Sequence, residues 1–293
     1  SAVYLAKKIN AEIISCDSMQ IYRGMDIVSA KPGPSLRKKV RHHLTGVLKP
    51  SKIFNASAYR KLALIAIKDI LKRGKTPLFA GGCGLYMSAL LDGIFSETAK
   101  DKKIRDKLYL KAQRLGNSAL YERLKKVDPQ AASKIHPNDL RRLVRALEVY
   151  EKCGVPISEL QKRRKGIMDK YDIRVFGLHM DRASLYVRID RRVEEMFKEG
   201  LLREVKRLLG SGRLSRTAQA AIGVREIKGY LEGEYSLDQA RGMIQRNSRI
   251  YSKRQMTWFN KDKRVDWVRV KNNDTAAMTA GKIYKRLKWK KPF

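Results

Sequence analysis

Apolar residues follow two rhythms along this chain. Over residues 1–10, Val3, Leu5, Ala6 and Ile9 recur at helical spacing and predict a helix. The rhythm then breaks into the β-branched pair Ile13-Ile14, which predicts a short buried strand over 12–15. Arg41-His42-His43-Leu44 leads into another short strand. Amphipathic periodicity returns over 54–72, starting near Ala56-Ser57 and ending in the basic, glycine-closed Lys72-Arg73-Gly74-Lys75. Thr76-Pro77-Leu78-Phe79-Ala80 reads as a buried strand, and Gly81-Gly82-Cys83-Gly84 turns it into a helix over 86–91. Strands alternating with helices predict an α/β core with a parallel sheet.

From residue 96 to 172 only the helical rhythm persists. Helices are expected over 102–115, 118–126, 129–135 and 140–153, which makes this stretch a helical insertion. The strand pattern resumes at Ile173-Arg174-Val175-Phe176-Gly177-Leu178. A long helical region over 185–209, a glycine-containing turn over 218–226, a helix over 237–259 and a last strand at Asp266-Trp267-Val268 follow. The expected organisation is a core from 1–95 and 173–293 around an all-helical insertion from 96–172. No internal repeat is present.

Charge changes the picture most. The 293 residues carry 65 Lys and Arg against 29 Asp and Glu, a formal charge of +36. Such a potential attracts polyanions and repels other copies of the chain, which points to nucleic acid first, an anionic membrane surface second, and a monomer. A hydrophobic content of 43% marks a globular chain with a sizeable core. No apolar run approaches the roughly 18 residues that span a bilayer, so no membrane partner is expected. No secretory signal appears. Cys16, Cys83 and Cys153 are odd in number and lack CxxC spacing, which fits free thiols in a reducing cytoplasm. His42 and His43 lack companions at ligand spacing, so no metal site built from protein ligands is expected.

Candidate chemistry centres on Asp17. It follows a strand at its carboxyl end, where open α/β sheets bind ligands. Ser18, Gln20 and Tyr22 beyond it can hydrogen-bond a polar ring or stack on it. The plainer alternative is that Asp17 and Ser18 cap the next helix, and spacing alone favours it. The glycine turn at 81–86 suits an anion at a helix amino end, although it is not GxxxxGK[ST] and carries no lysine. Lys31 and the run Arg37-Lys38-Lys39, placed in a Gly/Pro-marked loop, can face phosphate or simply water. His136-Pro137-Asn138-Asp139 is a turn and cap ahead of Arg141, Arg142 and Arg145. Arg142 and Arg145 share a face, and residues 161–165 add another basic segment. Arg188 and Arg192, four apart, either stabilise a phosphate or form a solvated face. Over 237–259, Arg246, Arg249, Lys253 and Arg254 interleave with Tyr251 and Trp258, as suits RNA phosphates and base stacking.

Five segments taken together resemble one family. They are residues 14–27 (ISCDSMQIYRGMDI), Gly81-Gly82-Cys83-Gly84-Leu85-Tyr86, Ile135-His136-Pro137-Asn138-Asp139 with Arg142 and Arg145-Ala146-Leu147-Glu148-Val149, Ala221-Ile222-Gly223, and Lys253-Arg254-Gln255-Met256-Thr257-Trp258-Phe259. In this order, over nearly the whole chain, they are similar to the bacterial tRNA dimethylallyltransferases, also called tRNA isopentenyltransferases.

The resemblance implies a P-loop α/β core with a helical insertion. It implies transfer of a dimethylallyl group from dimethylallyl diphosphate to N6 of the adenosine 3′ of the anticodon, with Mg²⁺ as cofactor and the tRNA anticodon stem-loop as partner. By correspondence, Asp17 accepts the N6 proton, and Ser18, Met19 and Gln20 surround the adenine. Cys83 stands at the usual threonine of GGTGLY. Arg105 and Arg192 lie near the reacting groups, with Arg188 and Lys31 at the diphosphate. Arg141, Arg142, Arg145, Gly223, Arg225, Arg249 and Arg254 contact tRNA. The departures are Cys83, Val224 for tyrosine, Val28-Ser29 for Gly-Thr, and a P-loop whose register falls just before Ser1. The resemblance therefore implies a chain lacking its phosphate cradle. Absence of a Cys/His zinc module favours the bacterial type. Rival readings are a P-loop kinase or NTPase, a non-catalytic RNA-binding protein, and an adenylate isopentenyltransferase acting on free nucleotide.

Overall fold

The computed structural model describes residues 1–95 and 101–287. The chain opens with α1 (Ala2–Lys8) and β1 (Ala11–Cys16), and every residue of β1 is buried. Residues 34–39, expected in a loop, form the helical turn α2 (Pro34–Lys39), with Pro34 at its first position, where a missing N–H costs nothing. Next come β2 (His42–His43), α3 (Ala56–Lys72), β3 (Thr76–Gly81) and α4 (Gly84–Leu91). The Asn55 side chain accepts the Ala58 N–H and starts α3.

The helical stretch holds α5 (Lys102–Val127), α6 (Pro129–Ala132), α7 (Leu140–Cys153) and α8 (Ile157–Lys162). The two helices expected over 102–126 are present as the two halves of α5, separated at Gly116, whose φ of 77° and ψ of 165° are not helical. Then follow β4 (Val175–His179), α9 (Arg182–Lys198), α10 (Leu201–Gly210), α11 (Arg216–Gln219), α12 (Val224–Leu231), α13 (Leu237–Phe259), β5 (Val265–Arg269) and α14 (Ala276–Arg286). The single helix expected over 185–209 is broken at Gly200, whose φ of 101° suits a residue without a Cβ. Helix α14 has no counterpart among the elements expected from the sequence. The basic tail beyond Leu287 lies outside the described residues.

The fold is mixed α/β. β1 lies between β2 and β3, all parallel, with Ile13 opposite His42 and Leu78. β4 and β5 form a separate parallel pair among the described residues. The chain divides into two compact units, Ser1–Ser88 with Asp172–Phe293, and Ala89–Tyr171. In the first, Leu5, Ala6, Ile13, Val268, Ala280 and Ile283 bring α1, β1, β5 and α14 into one core. In the second, Leu108, Leu120, Leu124, Leu143 and Leu147 are almost wholly buried. Each such leucine contributes about 1.5–3 kcal/mol. Among the described residues no helix is long and apolar enough to cross a membrane.

Candidate active site

β1 delivers Asp17 at its carboxyl end, and the side chain is half-buried. Asp17 Oδ1 accepts the Met19 N–H at 2.7 Å and the Gln20 N–H at 3.2 Å. No helix starts here, so the helix cap that spacing favours is not formed; the carboxylate instead closes a turn over residues 17–20. Among the described residues Oδ2 has no hydrogen-bond partner, so one side of the carboxylate stays available. Turn closure and chemistry are compatible here because a carboxylate has about four lone-pair sites.

The residues after Asp17 divide. Ser18 and Met19 stay half-buried beside it. Gln20 cross-links the loop: its Oε1 accepts the Ser15 hydroxyl at 3.0 Å, and its Nε2 lies near the Ser29 and Ala30 carbonyls. Tyr22, expected to stack on a substrate ring, is fully buried, with its hydroxyl 3.5 Å from Ser215 Oγ. Its ring belongs to the core. Lys31, expected at the diphosphate, is turned inward, and its Nζ donates to the Tyr22 carbonyl at 2.7 Å and to Asp26 at 2.6 Å. It closes the loop.

That loop has a second clamp, which the sequence does not announce. Glu204 of α10 is buried and accepts the backbone N–H groups of Asp26, Ile27 and Val28 at 2.9–3.0 Å. Three charge-assisted bonds hold the stretch after Tyr22 in one shape. No local pattern marks Glu204, because its partners lie about 180 residues away.

The β3–α4 turn forms the facing wall. Cys83 N–H donates to the Cys16 carbonyl at 3.1 Å, and the Cys83 thiol receives backbone N–H groups of α4. Burial pushes the Cys83 thiol up, and its own bonds to the Leu85 and Tyr86 N–H groups oppose this. Burial also pushes Cys16 up to about 12. Neither is a ready nucleophile. Tyr59 and Tyr86 stack at 4.3 Å with rings 13° apart.

Helix α13 supplies Tyr251, Gln255 and Trp258 at i, i+4 and i+7. Gln255 Nε2 donates to the Gly82 carbonyl at 2.9 Å, and the Trp258 indole lies against Gly84. A Cβ at either glycine would overlap these side chains. Burial, with help from the Asp17 charge, pushes Tyr251 up to about 12, so it remains a neutral donor. The i, i+4, i+7 spacing is legible in the sequence, but not what the face packs on.

Helix α9 supplies the cation. Desolvation lowers the pKa of Arg192 although the residue is exposed, and the nearby Asp17 carboxylate opposes that fall. Arg188 lies one turn before it and is half-buried. Arg249 Nη1 pairs with Asp190 at 2.6 Å and fastens α13 to α9. Arg254 is exposed, as is Arg225, whereas Gly223 is buried and donates its N–H to Glu226 at 2.7 Å.

The remaining expected site residues lie in the helical unit. Arg105 and Arg145 pair with the buried Glu148 at 2.9 and 2.8 Å, and the Asp101 N–H donates to it as well. Burial raises the Glu148 pKa, but these donors outweigh it and hold the group ionised. Arg141 and Arg142 are exposed on the first turn of α7, with Arg142 loosely paired to Asp139 at 3.3 Å. Among the described residues no three His, Cys, Asp or Glu side chains converge as metal ligands. Asp17 alone is too few ligands for a magnesium ion held by protein groups only; that ion ordinarily takes one or two carboxylates together with substrate phosphates.

Comparison with known proteins gives a consistent answer. The sequence profile of the family described as IPP transferase matches residues 20–262. A tRNA dimethylallyltransferase of Carboxydothermus hydrogenoformans is 47% identical over 266 residues, 90% of this chain and 86% of that protein. One from Thermotoga maritima is 44% identical over 287 residues, covering 98% and 91%. The crystal structure of a full-length tRNA isopentenylpyrophosphate transferase from Bacillus halodurans is 37% identical. It superposes with a TM-score of 0.69 over 98% of this chain and 92% of that one. A eukaryotic dimethylallyltransferase seen acting on tRNA gives 0.76 at 28% identity, covering 92% and 69%.

Proposed function

The chain belongs to the IPP transferase family, and from that premise we infer that it is a transferase that moves a dimethylallyl group from dimethylallyl diphosphate to N6 of the adenosine 3′ of the anticodon in tRNA. The observation that carries the mechanism is Asp17. Its carboxylate stands at the end of β1, fixed through Oδ1, open at Oδ2 and coupled to the Arg192 charge.

The target base leaves its stack to reach this carboxylate. Its N6 lone pair is delocalised into the ring, so the amine is a weak nucleophile. In the transfer, the N6–C1 bond forms, the C1–O bond to diphosphate breaks, and the N6 proton passes to Asp17. Arg192, with Arg188 one turn away, stabilises the charge that develops on the departing diphosphate. Ser18 and Met19 line the base, with Gln20 as the strut behind them. Cys83 fixes the turn beneath, and Tyr251 donates from α13.

Among the described residues no three His, Cys, Asp or Glu side chains converge to hold magnesium. Arg105 is held by Glu148 within the helical unit. The helical unit carries RNA contacts through the exposed Arg141 and Arg142, with Arg145 behind them, and Gly223, Arg225, Arg249 and Arg254 mark a second contact region. We place the reaction in the cytoplasm of a monomeric protein. The kinase and NTPase reading is disfavoured by the basic helical insertion, which small-substrate phosphorylation would not use.

The test uses purified full-length protein, unmodified tRNA and dimethylallyl diphosphate. Nucleoside mass spectrometry is expected to find N6-dimethylallyladenosine at the position 3′ of the anticodon. Asp17→Asn retains an oxygen for the Met19 and Gln20 N–H groups, so folding is preserved and the rate falls about 10²–10⁴-fold. An Asp17→Asn protein that modifies tRNA at the normal rate would falsify the assignment.

A further inference from the structure

A cavity of about 520 Å³ opens between the end of α10, α11 and the start of α12, apart from the Asp17 carboxylate. Its apolar lining includes the buried Leu214 and Val224, and its cations are Arg213, Arg216, Arg225 and Lys228. No carboxylate lines it. The nearest acids are already engaged. Glu226 is buried, accepts the Gly223 N–H and the Asn247 amide, and pairs with Arg225 at 3.5 Å. Glu232 pairs with Lys228 at 3.1 Å. Among the described residues Arg213 and Arg216 have no ion-pair partner. Arg225 and Lys228 each have one acid partner; Arg213 and Arg216, left without one, repel one another, and an anion relieves that repulsion.

The cavity is tied to the stretch that follows Asp17. Ser215, between the two unpaired arginines, donates its N–H to the Pro50 carbonyl at 2.9 Å and packs against the Tyr22 hydroxyl. Gln219 fixes the rim by donating to the Leu214 carbonyl at 2.8 Å. The cationic rim is therefore held on the same scaffold as the target-base site rather than on a loose loop.

We propose that this cavity is an RNA-backbone subsite that binds a phosphodiester of the single-stranded segment flanking the target adenosine. The inference rests on the RNA-modifying reading above. Arg213 and Arg216 bind the phosphate oxygens, Arg225 and Lys228 add charge, and the apolar floor packs against the sugar. The volume exceeds what one inorganic phosphate fills, and the open rim lets a polymer pass through.

The experiment measures binding of an unmodified anticodon stem-loop RNA to the full-length protein as a function of KCl. In Arg213→Gln/Arg216→Gln, affinity is expected to fall about tenfold or more at 0.15 M salt. The slope of log K against log salt should become shallower by about 1.4, since each single-strand phosphate that is no longer neutralised removes roughly 0.7. At saturating RNA, kcat should stay at the wild-type value. Lys68→Gln/Lys72→Gln removes the same charge from exposed positions of α3 and should leave the slope unchanged. An unchanged slope in the arginine variant, or an equal loss in the lysine variant, overturns the subsite. A second arm titrates inorganic phosphate and diphosphate. If the arginine variant loses affinity for these and keeps its RNA affinity, the cavity serves a small anion and the proposal fails. Binding is read directly. Wild-type protein that binds RNA but transfers no dimethylallyl group therefore refutes the proposed activity and leaves this inference to its own slope.

Discussion

Glu12 and Asp17 sit at opposite ends of β1 and are held in opposite ways. Glu12 is buried and bonded to three side chains: His43 Nε2 at 2.7 Å and the cations Arg73 at 2.7 Å and Lys75 at 3.1 Å. Burial pushes its pKa up, but hydrogen bonds from Arg73, His43 and Lys75 outweigh this and hold it at about 2. The unfolded value is near 4.3. The folded pKa is the lower one, so the stability Glu12 contributes is present above about pH 4.3 and lost as pH falls toward 2. Its size is on the order of 3 kcal/mol. Urea denaturation should show stability falling between pH 5 and pH 3 in the wild type, and falling less in Glu12→Gln. Glu12→Gln should also be weaker at pH 7, because Arg73 and Lys75 lose their shared partner. A Glu12→Gln protein with the wild-type pH slope would assign the acid sensitivity to other carboxylates. Asp17 has no such cage, and an open carboxylate is what a proton acceptor needs.

At the scale of elements, the packing of α13 on the β3–α4 turn positions the site. Trp258 lies where a Cβ on Gly84 would stand, so Gly84→Ala forces the indole or the turn to move. Overpacking of this kind costs about 1–3 kcal/mol. If the contact is the cause, Trp258→Ala in the Gly84→Ala background should recover part of that loss. The double-mutant cycle then shows a coupling of about 1 kcal/mol or more. Strictly additive losses would place the effect elsewhere. Elements with strong local signals are legible in the sequence: α3 from its periodicity and basic, glycine-closed end, α7 from its Asp139 cap, and β1 and β3 from their apolar runs. Helix α14 is not, because Ala, Thr and Gly interrupt its few large apolar residues. Nor is α2, hidden by Gly33, Pro34 and four charges or polar groups in close succession. The site residues that the sequence does not reveal share one reason. Glu204 and Gln255 act on backbone groups about 175 residues away, and no local periodicity encodes such a partner. Tyr22 and Lys31 mislead for the same reason: each has the right chemistry for a ligand, and each finds a protein partner first.

For the whole molecule, the +36 charge makes salt act in two opposite directions. RNA binding releases counterions, so affinity falls as salt rises; six to ten phosphate contacts would lose about 10³–10⁵ between 50 and 200 mM. Folding faces the reverse balance. A chain with 65 cationic and 29 acidic side chains repels itself when compact, and screening relieves that repulsion. Salt also weakens exposed ion pairs such as Lys162–Glu159 and Lys125–Glu122, but solvent already screens these and they contribute little. The Glu12 and Glu148 clusters are buried and screened far less. Self-repulsion should therefore decide the sign: the melting temperature of the free protein rises by a few degrees from 20 to 200 mM KCl, while RNA affinity falls over the same range. Bound RNA should reverse the trend. It neutralises the surface at low salt, so the stabilisation it gives is largest there and shrinks as salt rises. Thermal melts with and without RNA across the salt series check both slopes. A free protein that melts at lower temperature as salt rises would mean that local ion pairs, and not net charge, control its stability.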